Sequence, residues 1–418
     1  MTLTNQNIFI LGLTQYGDGI ESTNFTLARH LAAENNVFYI ENPYTWKDIA
    51  GPKRRQWKTR NKTAYNGIIA TDLPRLRIVT TPVLPSINWL PEGRLYRAAL
   101  GYNEWRIFRA VQKIIWRFDM EDYIFINSFN FYYPGVGRLL APELSVYHCV
   151  DPLVFPIVRK HGERSERQLV QESDVVVCTS RRLYEEKVTQ NKNSFFIPNA
   201  ADITHSAAAL DPAVPVHESL QHISKPVAGY FGNIERRLDY ELLDEVTNAN
   251  PGISFVFAGP VSREFIPQWF FERPNVHLTG PMPYSQMPQV LKGFDAAMIP
   301  FKKDEFSATI FPLKLFEYLG AGKSVVATDF NPDLQEFTGD VVTFCPDAGA
   351  YSSALQHALA NDTGEQLQAR LEIARQNTWE RRAGDLSGLI YKYLQQKRSE
   401  LKGLPGMSLS QPMDYAKA

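Results

Sequence analysis

The chain has 418 residues, 44% of them apolar and 21% charged, with a formal net charge of −1. That length exceeds one typical hydrophobic core and predicts two domains of ordinary globular composition. Three widely spaced cysteines, Cys149, Cys178 and Cys345, exclude a disulfide framework or zinc motif, and the absence of any run of about 18 apolar residues excludes a membrane span. Two of the cysteines lie in apolar strand-like runs, where cysteine is usually a small buried hydrophobe, so a reducing cytoplasm is the expected compartment; the first residues also lack the charged start and apolar core of a signal peptide. The near-zero net charge conceals an asymmetry. Residues 1–200 carry 25 Lys and Arg against 19 Asp and Glu, and the remaining residues carry 19 against 26. A basic half and an acidic half imply different partners.

In chain order, an apolar strand over Ile8–Leu13 leads into a glycine-bearing polar loop, Thr14–Gly19. A helical pattern over Ser22–Ala33 and a strand at Val37–Ile40 complete a βαβ unit. The loop glycines fall at 12, 17 and 19, which is not the G-x-G-x-x-G spacing of a dinucleotide site. Further strands are predicted at Leu76–Val79, Tyr123–Asn127, Leu144–Cys149, Val175–Thr179 and Phe195–Pro198. The interval Ile203–Lys225, with prolines and little periodicity, reads as a linker. Strands resume at Val227–Phe231, Ser254–Ala258, Ala296–Ile299, Ser324–Ala327 and Val341–Phe344. Strands alternating with helices predict an α/β protein with two parallel sheets. Residues 365–398 read as one long charged helix, and 403–418 as a tail.

Two segments, Lys53–Lys62 and Arg94–Arg117, each carry six cations among aromatic residues. They are candidate contacts for an anionic membrane surface, or alternatively a core-facing helix with a solvated basic side. Nucleic acid is not an expected partner, because no recognised binding module accompanies them.

The stretch Phe306–Asp329 (FSATIFPLKLFEYLGAGKSVVATD) predicts a short helix opened by Pro312, closed near Gly322 and followed by a buried strand. Lys314 and Glu317 lie three residues apart on one helical face. A cation beside a helix N-terminus suits a phosphate, and a carboxylate suits sugar hydroxyls. The plainer alternative is an exposed ion pair worth a few tenths of a kcal/mol.

This stretch resembles the donor-binding helix of GT-B glycosyltransferases, in the glycosyltransferase-4-like branch that includes teichuronic-acid-type bacterial enzymes. Pro312, Lys314, Glu317, Tyr318, Gly322, Lys323, Val325 and Val326 match its pattern in order. The resemblance extends through VYHCVD (146–151), DVVVCTSRRL (174–183), FFIPNAAD (195–202), AGYFGNIERRLD (228–239), FAGP (257–260) and FDAAMIPF (294–301). It implies two facing Rossmann-like domains, an acceptor domain over 1–202 and a nucleotide-sugar domain over 226–364, joined by a linker at 203–225. It further implies a C-terminal helix, 365–402, crossing back onto the first domain, with Trp379 at the junction. The implied activity is sugar transfer from a nucleotide-diphosphate sugar to a saccharide or lipid-linked acceptor, building a cell-surface polysaccharide or glycolipid. Alternatives are a sugar-nucleotide epimerase, a phosphorylase or a non-catalytic nucleotide-sugar-binding partner.

The implied donor residues are Lys314, Glu317, Ser307, Thr309, Pro312, Leu313, Gly232, Arg236 and Arg237; the arginine pair could equally be a solvated surface pair. Many retaining relatives carry a second glutamate eight positions before the conserved one, where this chain has Thr309. That departure leaves the stereochemistry open. For an inverting transfer a base is needed near the acceptor hydroxyl. Asp151, just past the strand ending at Cys149, is the first candidate, with His148 beside it. Asp18 and Glu21 in the first loop compete, although turn or capping roles are commoner for such residues. No D-x-D motif closes a strand, so neither a metal nor a cofactor is expected.

Overall fold

The computed structural model describes residues 2–16, 22–51, 53–153 and 156–402. Asp18, Glu21 and the 403–418 segment lie outside them. Among the described residues, one sheet comprises β1 (Asn7–Gly12), β2 (Asn36–Ile40), β3 (Ile68–Ala70), β4 (Leu76–Val79), β5 (Ile124–Ser128), β6 (Leu144–Cys149), β7 (Val175–Cys178) and β8 (Ser194–Phe196). Its spatial order is β3-β4-β2-β1-β5-β6-β7-β8, parallel throughout except for the antiparallel β3–β4 edge. The other sheet holds β9 (Val227–Phe231), β10 (Ser254–Ala258), β11 (Val276–Gly280), β12 (Ala296–Ile299), β13 (Ser324–Thr328) and β14 (Val342–Cys345). Its order is β11-β10-β9-β12-β13-β14, all parallel. Each order reverses beside its first strand, and in such sheets ligands bind outside the carboxyl ends at that reversal.

β3 and β11, absent from the predicted set, are both edge strands. β3 has three residues, and β11 is half-buried along its whole length, so neither shows the apolar run of the central strands.

The 203–225 interval is more structured than its sequence suggested. Asp202 caps a short helix, Ile203–Ala207, by accepting from the His205 N–H at 2.9 Å. Ser206 sits against Gly320, where an added Cβ would meet Ser206 Oγ at 2.5 Å. Residues 365–398 are likewise divided, into helices Gly364–Gln376 and Trp379–Lys402. At the break, the Ala201 N–H donates to the Asn377 carbonyl at 3.3 Å. The two crossings between the sheets therefore run side by side.

The Trp379–Lys402 helix follows the second sheet but packs on the first. Leu386, Ile390 and Leu394 join the core formed by Ile8, Ile10, Ile124 and Val146. The Leu3 N–H donates to Ser387 Oγ at 2.7 Å, and Lys397 pairs with Asp174 at 2.8 Å. Ile390→Ala is expected to destabilise the first domain by about 2–5 kcal/mol, as truncation of a fully buried isoleucine does. Urea unfolding followed by the fluorescence of first-domain tryptophans would check this.

Candidate active site

A cavity of about 590 Å³ lies between the two sheets. Asp151, Asn199 and Asp202 line it from one side, and Gly232, Arg237, Pro312, Leu313, Lys314 and Glu317 from the other. The Leu313–Gly320 helix begins at its wall, with Pro312 in extended conformation immediately before it. Its first turn thus presents free backbone N–H groups without acidic residues.

Two glycines make room for the lysine. Gly232 has φ +145°, and a Cβ there would lie 2.4 Å from Lys314 Nζ. Gly259 has φ +148°, and a Cβ there would strike the Gly232 carbonyl oxygen. L side chains rarely adopt this backbone region, so the loops after β9 and β10 can close on each other only with glycine. Lys314 Nζ donates to Tyr230 Oη at 2.6 Å and lies 4.0 Å from the centre of that ring. The Tyr230 hydroxyl in turn donates to the Asn233 carbonyl at 3.0 Å. Burial pushes the Lys314 ammonium well below the usual lysine range, and Arg237 adds to that; Glu317 and Glu235 pull the other way. The positive form of Lys314 is therefore disfavoured by its burial, and an anion beside it would favour that form.

Glu317 sits one turn further along and is buried. Its Oε1 accepts from Tyr284 Oη at 2.7 Å. Tyr284 stacks on His205, with ring centres 4.6 Å apart. Tyr318 fixes the helix to the sheet, its hydroxyl accepting from the Phe231 N–H at 2.7 Å. Arg237 pairs with Glu235 and lines the cavity, whereas Arg236 stacks over Phe306 at 4.9 Å and is not among the lining residues.

Asp151 faces the cavity from the opposite wall and is exposed to it. Although part of its surface opens to the cleft, desolvation by the protein around it pushes its carboxyl up to about 6, and Arg237 acts in the opposite direction. His148 does not reach the cavity. It is buried, with Nδ1 3.0 Å from Ser128 Oγ, and burial lowers it to about 4, leaving the ring neutral. Ser307 and Thr309 are also turned inward. Both are buried, and Thr309 Oγ1 donates to the Phe306 carbonyl at 2.6 Å. The structure thus brings Lys314, Glu317, Pro312, Leu313, Gly232, Arg237 and Asp151 to one cleft. It leaves His148, Ser307, Thr309 and Arg236 off the cleft wall.

Several lining residues were not singled out from the sequence: Asn199, Asp202, Tyr284 and, beneath Lys314, Tyr230. Asn199 Nδ2 donates to the Phe311 carbonyl at 3.5 Å, and its Oδ1 is buried without a partner. It lies in the 195–202 segment, whose pattern was legible but whose role was not. Trp379 is buried and also lines the cavity. No cluster of three or more metal-ligating side chains occurs among the described residues.

Comparison with known proteins fits this arrangement. Among solved structures, sucrose-phosphate synthase from Thermosynechococcus elongatus superposes with a TM-score of 0.65 at 16% identity, over 94% of this chain and 100% of that one. An E. coli trehalose-6-phosphate structure bound with UDP-2-fluoro glucose gives a TM-score of 0.62 at 10% identity, over 96% and 99%. The fold is GT-B. Residues 236–388, which include the Leu313–Gly320 helix of this GT-B chain, match the family described as Glycosyl transferase-like. The putative teichuronic acid biosynthesis glycosyltransferase TuaH of Bacillus subtilis (strain 168) is 27% identical over 213 residues. That match covers 47% of this chain and 53% of TuaH, about half of each.

Proposed function

We propose that the protein transfers a sugar from a nucleotide-diphosphate sugar to a saccharide or lipid-linked acceptor, in the synthesis of a cell-surface polysaccharide or glycolipid. The observation that carries this is Lys314 and Glu317, one turn apart on a helix whose N-terminus opens onto the cleft. In this reading the diphosphate lies over that N-terminus, beside the Lys314 Nζ that the missing side chain of Gly232 makes room for. Lys314 and Arg237 neutralise the charge that builds on the leaving diphosphate. Glu317, oriented by Tyr284, accepts hydroxyls of the ribose or the sugar. Asp151, across the cleft, takes the proton of the acceptor hydroxyl in an inverting transfer. No cofactor or metal is assigned to these steps; the nucleotide sugar is the donor substrate. The protein would act in the cytoplasm, against the inner membrane face when the acceptor is lipid-linked. No helix among the described residues is long and apolar enough to cross a membrane.

One observation favours a second reading, a nucleotide-sugar-binding partner without catalysis. The position of the second glutamate of many retaining relatives is the inward-turned Thr309. The two readings separate on donor consumption. A thermal-shift screen of UDP, GDP, CMP and dTDP with their sugars tests the site itself. A ligand at a hundred times its dissociation constant adds about 2.7 kcal/mol of stability. One nucleotide family is expected to stabilise the wild type, with a smaller shift in Glu317→Ala. No shift with any nucleotide would remove the donor site, and binding without consumption in the presence of acceptor would select the partner.

A further inference from the structure

Large apolar side chains are unevenly exposed on this molecule. Eight of those most open to solvent fall between residues 46 and 118, including Trp46, Trp89, Trp105 and Trp116. The same stretch carries fifteen Lys and Arg against four Asp and Glu, a balance of +11 in a chain whose net charge is −1. The Arg94–Arg117 helix organises both features. Ile107, Val111 and Ile114 anchor one face in the core of the first domain. Leu95, Tyr102, Trp105 and Trp116, at spacings of seven, three and eleven residues, lie together on the opposite face. Arg94, Arg97, Arg109 and Lys113 are exposed among them, and Glu104, the one acid of the helix, is buried. Arg106 and Arg109 lie over Tyr102 and Trp105 at 5.7 and 5.9 Å, so the cations border the aromatic stripe itself.

The surface continues beyond both helix ends. Trp89 Nε1 donates to the Ser86 carbonyl, and Ser86 Oγ accepts from the Lys47 N–H beside Trp46. At the other end Arg117 lies 5.5 Å over Tyr65. The Arg54–Thr63 helix, which buries no residue, completes the layer. Its Arg60 lies 5.0 Å over Tyr16, in the loop after β1, and 3.6 Å from Glu41. The layer therefore adjoins the loop at the ligand-facing edge of the first sheet.

We propose that this face of the first domain rests on an anionic lipid bilayer, with the Arg94–Arg117 helix lying in the plane of the interface. Tryptophan and tyrosine prefer the headgroup level, and an apolar stripe flanked by cations is the pattern of a helix that lies on a membrane without spanning it. The long basic side chains can cover apolar surface while their charges reach lipid phosphates. A nucleic acid duplex would match the charge but offers no counterpart to the outward leucine and indole groups, and single-stranded bases, which stack on indoles, offer none to Leu95. The proposal deepens the reading of a lipid-linked acceptor and rests on it for its purpose, although the binding itself requires no transfer.

The test is co-sedimentation of the full chain with vesicles of phosphatidylcholine alone and of phosphatidylcholine mixed with phosphatidylglycerol. Binding to the anionic vesicles is expected, weakening with salt. Trp105→Ser with Trp116→Ser is expected to lower the partition coefficient about tenfold or more. Arg109→Glu with Lys113→Glu is expected to abolish the preference for anionic lipid. The nucleotide thermal shift, measured on the same variants, is expected to match that of the wild type, which shows the fold intact and keeps this test separate from that of the donor site. Absence of binding to anionic vesicles, binding that both double variants retain, or binding of a polynucleotide in preference to vesicles would each overturn the proposal.

Discussion

Lys314→Met is expected to lower kcat/KM for sugar transfer by about 10²–10³, the cost of removing one preorganised group from a site of developing negative charge. The same substitution is expected to raise the thermal midpoint of the unliganded protein. Burial and the neighbouring Arg237 hold the Lys314 pKa well below its ordinary value, so the folded state binds this proton less tightly than the unfolded chain does. Below the unfolded lysine pKa the group therefore subtracts from stability, and stability recovers as pH rises from the depressed pKa toward the ordinary one. Methionine keeps the stem and removes the charge. Each kcal/mol so relieved corresponds to about 2–4 °C for a domain of this size. A bound diphosphate reverses the balance by giving the ammonium a counter-charge, so donor affinity is expected to fall as pH rises and Lys314 loses its proton. Steady-state kinetics and thermal midpoints on wild type, Lys314→Met and Lys314→Arg measure both effects. A kcat/KM within tenfold of wild type would remove Lys314 from the phosphate site.

For Asp151→Asn the expected loss is of similar size, about 10²–10⁴ in turnover, with nucleotide-diphosphate affinity preserved. The base must be ionised, and its carboxyl titrates at about 6 in the folded protein. Activity of the wild type is therefore expected to rise with pH through about 6 and to be lost below it. Arg237 acts to lower that value, so Arg237→Gln is expected to move the acidic limb upward. Full turnover in Asp151→Asn, or a profile without an acidic limb near 6, would assign the base elsewhere. The two substitutions are distinguishable, since only Lys314→Met weakens the hold on the diphosphate.

The helix at the centre of these expectations was legible because its signals are local. Pro312 opens it, Gly322 at φ +74° follows its end, and Lys314 and Glu317 are separated by one turn. What orients those side chains was not legible. Tyr284 lies 33 residues from Glu317 and Tyr230 lies 84 from Lys314, and no periodicity connects either pair. Ser307 and Thr309 occur in a 3₁₀ turn, where one residue's difference in phase decides whether a hydroxyl faces the cleft or the core. His148 obeys the alternation of β6: the run is buried on both faces, so sequence could not show that this ring meets Ser128 and not a ligand. The edge strands β3 and β11 escaped for the opposite reason, since they are too short or too exposed to carry a parallel-strand signature.

The docking of Trp379–Lys402 on the first sheet also governs how the protein is made. β8 completes that sheet at residue 196, yet Ile390 and Leu394 of its core are translated almost two hundred residues later. At roughly 5–20 residues per second, a ribosome needs on the order of 10–40 s to cover that distance. During that time the nascent first half carries an unfilled strip along Ile8, Ile10 and Val146, while the second sheet can already assemble around its own core. The half made first is thus the half finished last. A chaperone that shields apolar strips on emerging chains would have its longest engagement there, and a message cut short before codon 379 would yield a product marked for proteolysis by that strip.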